Sequence, residues 1–509
     1  MMSFRATCLP GLPPLAWAAE IRANLDVSAI CGAAVEIDER GLVAGAWSGD
    51  FGARDVAAAP TSIGTALRIG NREIVAHCGT AGSAPIFFSR QGSRLFAANT
   101  LAFALAAAGD RLDPTHPHYL SDFCTYFYGG DRYRHSVVTE RGQLSTYYRS
   151  MSVGPDRALK RAPLPEVPDF GDYATYRAYL REQTGLLFAN AADASRRQRY
   201  VPISAVSSGY DSSAAAVIAR EAGCREGLTF GESAEQPDEA DDSGIEIGSL
   251  LGLAMTEYGT FSYKARTDLP EVEFIASSFT AGQVFLSGAG EALAGRLLVG
   301  GIGGDWVWNE RRRWRRPQTF PFFVGGYSEV EFLIRTPALS LALPMIGGRH
   351  VKQIDEIGRG ASMRPWRVGG DYDRPIPRRI VEEAAIPRGT FAKRKRHVAV
   401  DYFDLTRRQP EISRYLSPTS LAAFEDWFAR HRPMAQSRVR RHNFITETLG
   451  RVLWSGKLKR LLNRVGLDWP PFGHRFLRYK MAVCKNFYVF NWAAGIQTEC
   501  YRKILADGS

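Results

Sequence analysis

VPISAVSSGYDSSAAAVIAREAG spans residues 201–223, and its reading decides the fold of the second half of the chain. A short apolar segment gives way to Ser207-Ser208-Gly209-Tyr210-Asp211-Ser212, and then to a run of alanines. The opening has the composition of a buried strand and the close that of a helix. Small residues at such a junction leave backbone N–H groups at the helix start open to a ligand. The macrodipole and the unpaired donors there favour a phosphate. Gly209 permits close approach of that ligand, and Ser207, Ser208 and Ser212 can donate hydroxyl hydrogen bonds. Asp211 would repel bare phosphate but fits if Mg²⁺ lies between them. The plainer alternative is a Ser/Asp helix cap with no catalytic meaning.

The same alternation continues outward. GLTF (227–230), a helical pattern over 243–252 and RLLVGGIGGD (296–305) follow, so βα units on a mainly parallel sheet are expected. A helix is expected over 173–191 from its apolar spacing. Upstream, CGAAVEID, REIVAHCGT, APIFFSR and SRLFAAN read as short strands between turns, which makes residues 30–165 β-rich. Four prolines over 155–168 suggest a linker. The expected organisation is therefore a β-rich domain over 1–165 and an α/β domain over 170–509. The part beyond about residue 325 is expected to be mostly helical.

The 509 residues, 45% hydrophobic and 23% charged, suit a soluble protein of two or three domains. The apolar stretch 100–109 is too short to cross a bilayer, and the N-terminus is a poor signal peptide. Seven scattered cysteines without a CxxC pair argue against a disulfide framework and a zinc site, and nine histidines show no metal-ligand spacing. A cytoplasmic location is the expectation. The net charge of +11 is concentrated in three places: 311–316, 393–396 and 432–485, the last with thirteen Lys/Arg against Glu447 and Asp468. Such clusters suit a solvated face, an anionic surface or an acidic substrate. No nucleic-acid-binding signature accompanies them, which argues against nucleic acid as a partner.

A second loop, LLVGGIGGDWVWNE (297–310), places four glycines in five positions before Asp305. A tight turn is the plain reading. Two loops that each present an Asp after a strand would supply the carboxylate pair that a Mg²⁺–pyrophosphate needs. No G-x-x-x-x-G-K-[ST] occurs, so the site is not of Walker type.

The first loop resembles the S-G-G-x-D-S loop of the PP-loop ATP pyrophosphatases, with Ser208 in place of the first glycine. The second resembles the S-G-E-G-x-D-E loop of the asparagine synthetase B family, with Gly301, Gly303 and Asp305 matching and Ile302 and Trp306 replacing the two glutamates. That resemblance implies ATP and Mg²⁺ as cofactors, with Asp211 and Asp305 holding the metal. Ser207, Ser208, Gly209, Ser212, Gly303 and Gly304 would line the nucleotide, and the backbone of Leu228, Thr229 and Phe230 would meet adenine. GSAPIFFSRQGSRLFAAN resembles the end of the same family's Ntn-type glutaminase domain. A glutaminase of this type uses a cysteine exposed as the mature N-terminus. Here Met1-Met2-Ser3 opens the chain and Cys8 is the first cysteine, so a degenerate, inactive relic is expected.

Members of the superfamily without that cysteine include β-lactam synthetases and lasso-peptide cyclases, to which this domain logic is similar. The resemblance implies a doubly wound parallel-sheet synthetase domain with a helical C-terminal part. Its activity would be an AMP-forming amidoligase that joins a carboxylate to an amine or ammonia. Arg388, whose spacing to Phe391 echoes the family's K-x-x-F, is the first candidate for the cation on departing pyrophosphate, with Lys393 and Lys395 behind it. Glu382 and Glu383 are read either as a general base or as a surface pair, and Trp306, Trp308 and Trp314 as pocket walls or, better, as core. Two other readings stay open: a PP-loop reaction such as tRNA thiolation, and a non-catalytic nucleotide-binding paralogue. A homodimer is a further open expectation.

Overall fold

The computed structural model describes residues 2–82, 84–123, 135–231, 242–267, 283–308, 329–369, 373–391, 412–414, 416–431 and 485–508. Short strands dominate the first 161 residues: β1 (Phe4–Cys8), β2 (Trp17–Ile21), β3 (Val27–Cys31), β4 (Glu36–Asp38), β5 (Gly41–Trp47), β6 (Ser62–Ile69), β7 (Ile74–Cys78), β8 (Ile86–Gln91), β9 (Arg94–Ala98), β10 (Ser136–Val138), β11 (Gln143–Tyr147), β12 (Met151–Val153) and β13 (Leu159–Arg161). They form two sheets, one ordered β1-β3-β2-β9-β8-β11-β10 and the other β13-β12-β7-β6-β5-β4. All pairings are antiparallel except β1 with β3. In β3 the buried and half-exposed positions alternate, whereas every residue of β5 is buried. Strict alternation marks a sheet face turned outward, and continuous burial marks a strand covered on both sides.

The expected β-rich region is therefore present, with two corrections. The proline-rich stretch 155–168 is not only a connection, because β13 inside it completes the second sheet. Strands also begin well before residue 30. The apolar stretch 100–109 folds as helix α1 (Leu101–Ala108), capped by the Thr100 hydroxyl and closed by Gly109 in the left-handed conformation. Nearly all of it is buried, so it is a core helix. Among the described residues, no helix is long and apolar enough to cross a membrane.

Helix α2 (Tyr173–Ala192) opens on an Asp172 cap and covers the expected 173–191. Buried Arg196 ties the next turn back to the antiparallel sheets, donating to the Gly45 carbonyl at 2.5 Å. The chain then enters a five-stranded, wholly parallel sheet: β14 (Val201–Ala205), β15 (Glu226–Phe230), β16 (Ala254–Tyr258), β17 (Arg296–Gly300) and β18 (Leu339–Ala342). Its order is β16-β15-β14-β17-β18, so the direction of winding reverses between β14 and β17. A reversal of this kind opens a crevice at the carboxyl ends of the two strands. Strands β16 and β18 were not expected, and β18 adds a strand to the part beyond residue 325 that is expected to be mostly helical.

Both faces of this sheet are covered. Leu297 and Val299 face a core shared with α3 (Tyr210–Glu221), whose Ala214, Ala215, Ala216 and Ala219 are fully buried. Alanine lets that helix lie close to the strands. Ile203, Leu228, Phe230 and Leu298 face the other way, onto Phe285, Phe332, Trp427 and Trp492. The last of these belongs to α4 (Val489–Asp507), which returns to the antiparallel sheets and stacks Tyr501 on Phe103 of α1 at 4.6 Å.

Candidate active site

The crevice opens where β14 and β17 end. After β14 the chain turns through Ser207 and Ser208, and α3 starts behind Gly209, which has extended backbone and no side chain capping the helix. The Ser/Asp cap is thus not what the serines form. Ser207 and Ser212 share a hydroxyl–hydroxyl hydrogen bond of 2.7 Å, and Ser213 donates to the Gly209 carbonyl at 2.8 Å. Ser208 turns away and donates to Asp242 Oδ1 at 2.5 Å, both side chains being buried. The Ser208 amide also donates to the Asp242 carbonyl at 3.2 Å, and Ser207 makes an isolated bridge with Ser243. The residue that replaces a glycine in the first loop therefore pins that loop to the segment that follows β15.

The second loop closes on the first because it lacks side chains. A Cβ added at Gly301 would lie 2.4 Å from the Asp211 carbonyl carbon and from the Ser212 nitrogen, and one at Gly304 would lie 2.4 Å from Asp211 Cγ. Gly303 adopts φ +89°, a left-handed conformation that favours glycine, and reverses the chain into the short turn that carries Asp305. As a result the two aspartates, expected from separate loops, converge.

Arg374 lies between them. This guanidinium, 4% exposed, pairs with Asp305, stands 3.7 Å from Asp211 Oδ2 and donates to the Gly304 carbonyl at 2.9 Å. It precedes α5 (Pro375–Glu383), whose buried Arg378 lies over the Tyr210 ring at 4.7 Å. Tyr210 in turn stacks on Phe391 at 4.6 Å. Sequence reasoning missed Arg374. The one available signal was an arginine directly before a helix-opening proline, where extended backbone is favoured.

These elements enclose a cavity of about 250 Å³. Its walls include Ser207, Gly209, Asp211 and Ser212 from the first loop, and Leu228, Thr229 and Phe230 from the end of β15. Gly300, Gly301, Ile302 and Asp305 come from the second loop, with Asp242, Phe285 and Glu329 completing the sides. Phe230 meets Phe285 edge to face at 4.6 Å, which makes one end apolar. Four carboxylates line the other walls, so the cavity favours a cation or a ligand that brings one. Among the described residues, no three side chains of metal-ligating type cluster. Two carboxylates still fit Mg²⁺, which usually keeps few protein ligands and takes the rest from phosphate and water.

The other expected residues lie elsewhere. Arg388 does not line the cavity. It is exposed, paired with Glu382 at 2.6 Å, and donates to the Pro365 carbonyl at 3.0 Å, so the buried cation at the carboxylates is Arg374 instead. Hydrogen bonding to Glu382 raises the Arg388 guanidinium further above its usual range. Glu383 pairs with Arg379 at 2.8 Å and accepts from the Tyr173 hydroxyl at 3.0 Å, so both glutamates are held in ion pairs, Glu383 near the surface and Glu382 half-buried. Trp308 is core, donating to the Tyr176 hydroxyl at 3.0 Å. Lys393, Lys395 and Trp314 lie outside the described residues, as do the basic clusters 311–316 and 393–396 and nearly all of 432–485. No protein-family model and no curated protein sequence matches this chain, so the reading of the site rests on its own geometry.

Proposed function

We propose that the chain is an ATP-dependent, AMP-forming ligase that activates a carboxylate and joins it to an amine or ammonia. The observation that carries this reading is the convergence of Asp211 and Asp305 at the reversal point of a parallel sheet, beside the uncapped start of α3. The apolar end of the cavity, formed by Leu228, Thr229 and Phe230 with Phe285, suits a flat heterocycle such as adenine. The amides at the start of α3 would face the phosphates. Asp211 and Asp305 would hold Mg²⁺, which supplies charge neutralisation on the phosphate chain. A substrate carboxylate then attacks the α-phosphorus, pyrophosphate leaves, and the nitrogen nucleophile displaces AMP from the acyl-adenylate. Arg374, paired with both aspartates, would offset negative charge that accumulates on the leaving group, and stabilising such charge supplies much of the acceleration in phosphoryl chemistry.

In this reading the antiparallel region is a glutaminase-like fold without glutamine hydrolysis. Cys8 closes strand β1, is followed by a sheet hydrogen bond from Leu9 to the Cys31 carbonyl at 3.0 Å, and has no α-amine to serve as base. A second reading has one observation in its favour. Arg374 pairs with both aspartates and offsets one of their two charges, a contact that a protein no longer using a metal would also favour. Pyrophosphate release from ATP, measured with panels of carboxylates and amines, separates the two. The ligase releases pyrophosphate only with its carboxylate present, and an Asp211→Asn variant does not. Tight ATP binding without pyrophosphate release across the panel would favour the non-catalytic reading.

A further inference from the structure

Strand β1 lies at the edge of its sheet and runs parallel to β3, in a register that sets Cys8 directly beside Cys31. The two Sγ atoms are 3.6 Å apart, and both cysteines are free thiols. Adjacent strands are separated by ~4.8 Å, inside the range of about 4.4–6.8 Å between Cα atoms that a disulfide spans. Side-chain rotation and a small shift of the edge strand therefore suffice to close the gap. Cys78 and Cys224 differ, being buried with their thiols against the carbonyls of Tyr147 and Pro202.

The two thiols of the pair are unequal. Cys8 is exposed, and Arg197 Nη1 lies 3.6 Å from its sulfur, which places a positive charge beside the atom an oxidant would meet. Cys31 is buried, and burial pushes its thiol up to about 12, with the hydrogen bond to Cys8 adding to the rise. The raised thiol makes Cys31 the slower nucleophile, so its part as resolving sulfur rests on its contact with Cys8, the exposed sulfur that an oxidant meets first.

We infer that Cys8 and Cys31 form a reversible dithiol–disulfide site, with a peroxide as oxidant. Cys8 sulfur attacks one peroxide oxygen, the O–O bond breaks, and one water leaves with the Cys8 proton, giving a sulfenic acid. Cys31 sulfur then attacks Cys8 sulfur. The S–O bond breaks, the S–S bond forms, and hydroxide departs with the Cys31 proton as a second water. One peroxide is reduced to two waters while the two thiols lose two electrons. The product would clasp the edge strand to β3 around the loop that contains β2, and closing a loop of this kind restricts the unfolded chain.

The site is tested on the full chain, reduced and then freed of reductant, by adding one equivalent of hydrogen peroxide and mapping tryptic peptides. Cys8 falls in peptide 6–22 and Cys31 in peptide 23–40, because Arg5, Arg22 and Arg40 flank them. The expected result is one linked species, lighter than the two peptides together by two hydrogens and separated again by dithiothreitol. The oxidised chain should melt several degrees higher, reversibly. In Cys31→Ser the Cys8 sulfenic acid should persist and be trapped by dimedone. If that variant does not fold, the wild-type map decides alone. Recovery of the two peptides unlinked after peroxide, or of Cys8 joined to a different cysteine, would overturn the assignment.

Discussion

Replacing Gly301 by alanine adds one carbon at the tightest point between the two loops. That Cβ would lie 2.4 Å from the carbonyl carbon of Asp211 and from the nitrogen of Ser212. Both are backbone atoms in the first turn of α3, so neither can swing aside as a side-chain tip could. Contacts below 3.0 Å essentially do not occur for real Cβ atoms, and ordinary contact begins at 3.4 Å. The second loop must therefore retreat by about 0.6–1 Å, taking Asp305 away from Asp211. Overpacking of this kind costs about 1–3 kcal/mol of stability. If the same separation weakens the shared cation and phosphate site, ATP affinity in Mg²⁺ should fall at least about tenfold, or ~1.4 kcal/mol. Thermal denaturation with and without nucleotide, alongside calorimetric titration with MgATP, measures both effects. An alanine variant with wild-type melting temperature and wild-type affinity would refute the close apposition of the loops.

Three further outcomes follow from particular contacts. Ser208→Gly, although it restores the residue usual in such loops, should destabilise the protein by about 1–3 kcal/mol, because buried Asp242 loses a 2.5 Å donor; urea denaturation measures this, and an unchanged midpoint would contradict it. Burial pushes the His77 imidazole down to about 4 from 6.5, so between these values the unfolded chain binds a proton that the folded chain does not. The stability it contributes is full above pH 6.5 and is lost as pH falls toward 4, by about 3 kcal/mol at 1.36 kcal/mol per pH unit. His77→Gln should flatten that pH dependence in denaturant titrations, and an unaltered slope would show that other groups cause it. Glutamine should yield no glutamate with or without ATP, and Cys8→Ala should leave that unchanged; glutamate release lost in Cys8→Ala would restore a working glutaminase.

Much of the site was legible because its two loops combine features that local chemistry demands together. Small residues after an apolar segment and one carboxylate at the helix start identify 207–212 and 301–305 without knowledge of the sheet order. Strand β14, helix α3 and strand β17 fall where their composition places them. Arg374 was not legible, because it reaches Asp211 and Asp305 only through the return of α5 across the start of α3. Arg388 was favoured on spacing to Phe391, but spacing does not reveal that Glu382 on the preceding helix lies within ion-pair reach. Strand β13 was hidden by the prolines around Leu159–Arg161, since pairing with β12 is a long-range property that turn residues do not report. Strand β18 is only four residues long, LSLA, too short for its pattern to tell a buried parallel strand from a helix segment.

The central claim, that Asp211 and Asp305 jointly hold the cation of a bound nucleotide, is tested most directly by calorimetric titration of MgATP into the wild type and into Asp211→Asn and Asp305→Asn. The wild type should show one site per chain. Both variants should remain folded and lose binding by at least about a hundredfold, ~2.7 kcal/mol, with the Mg²⁺ dependence of any residual binding abolished. Wild-type affinity in either variant, or no MgATP binding to the wild type, would contradict it.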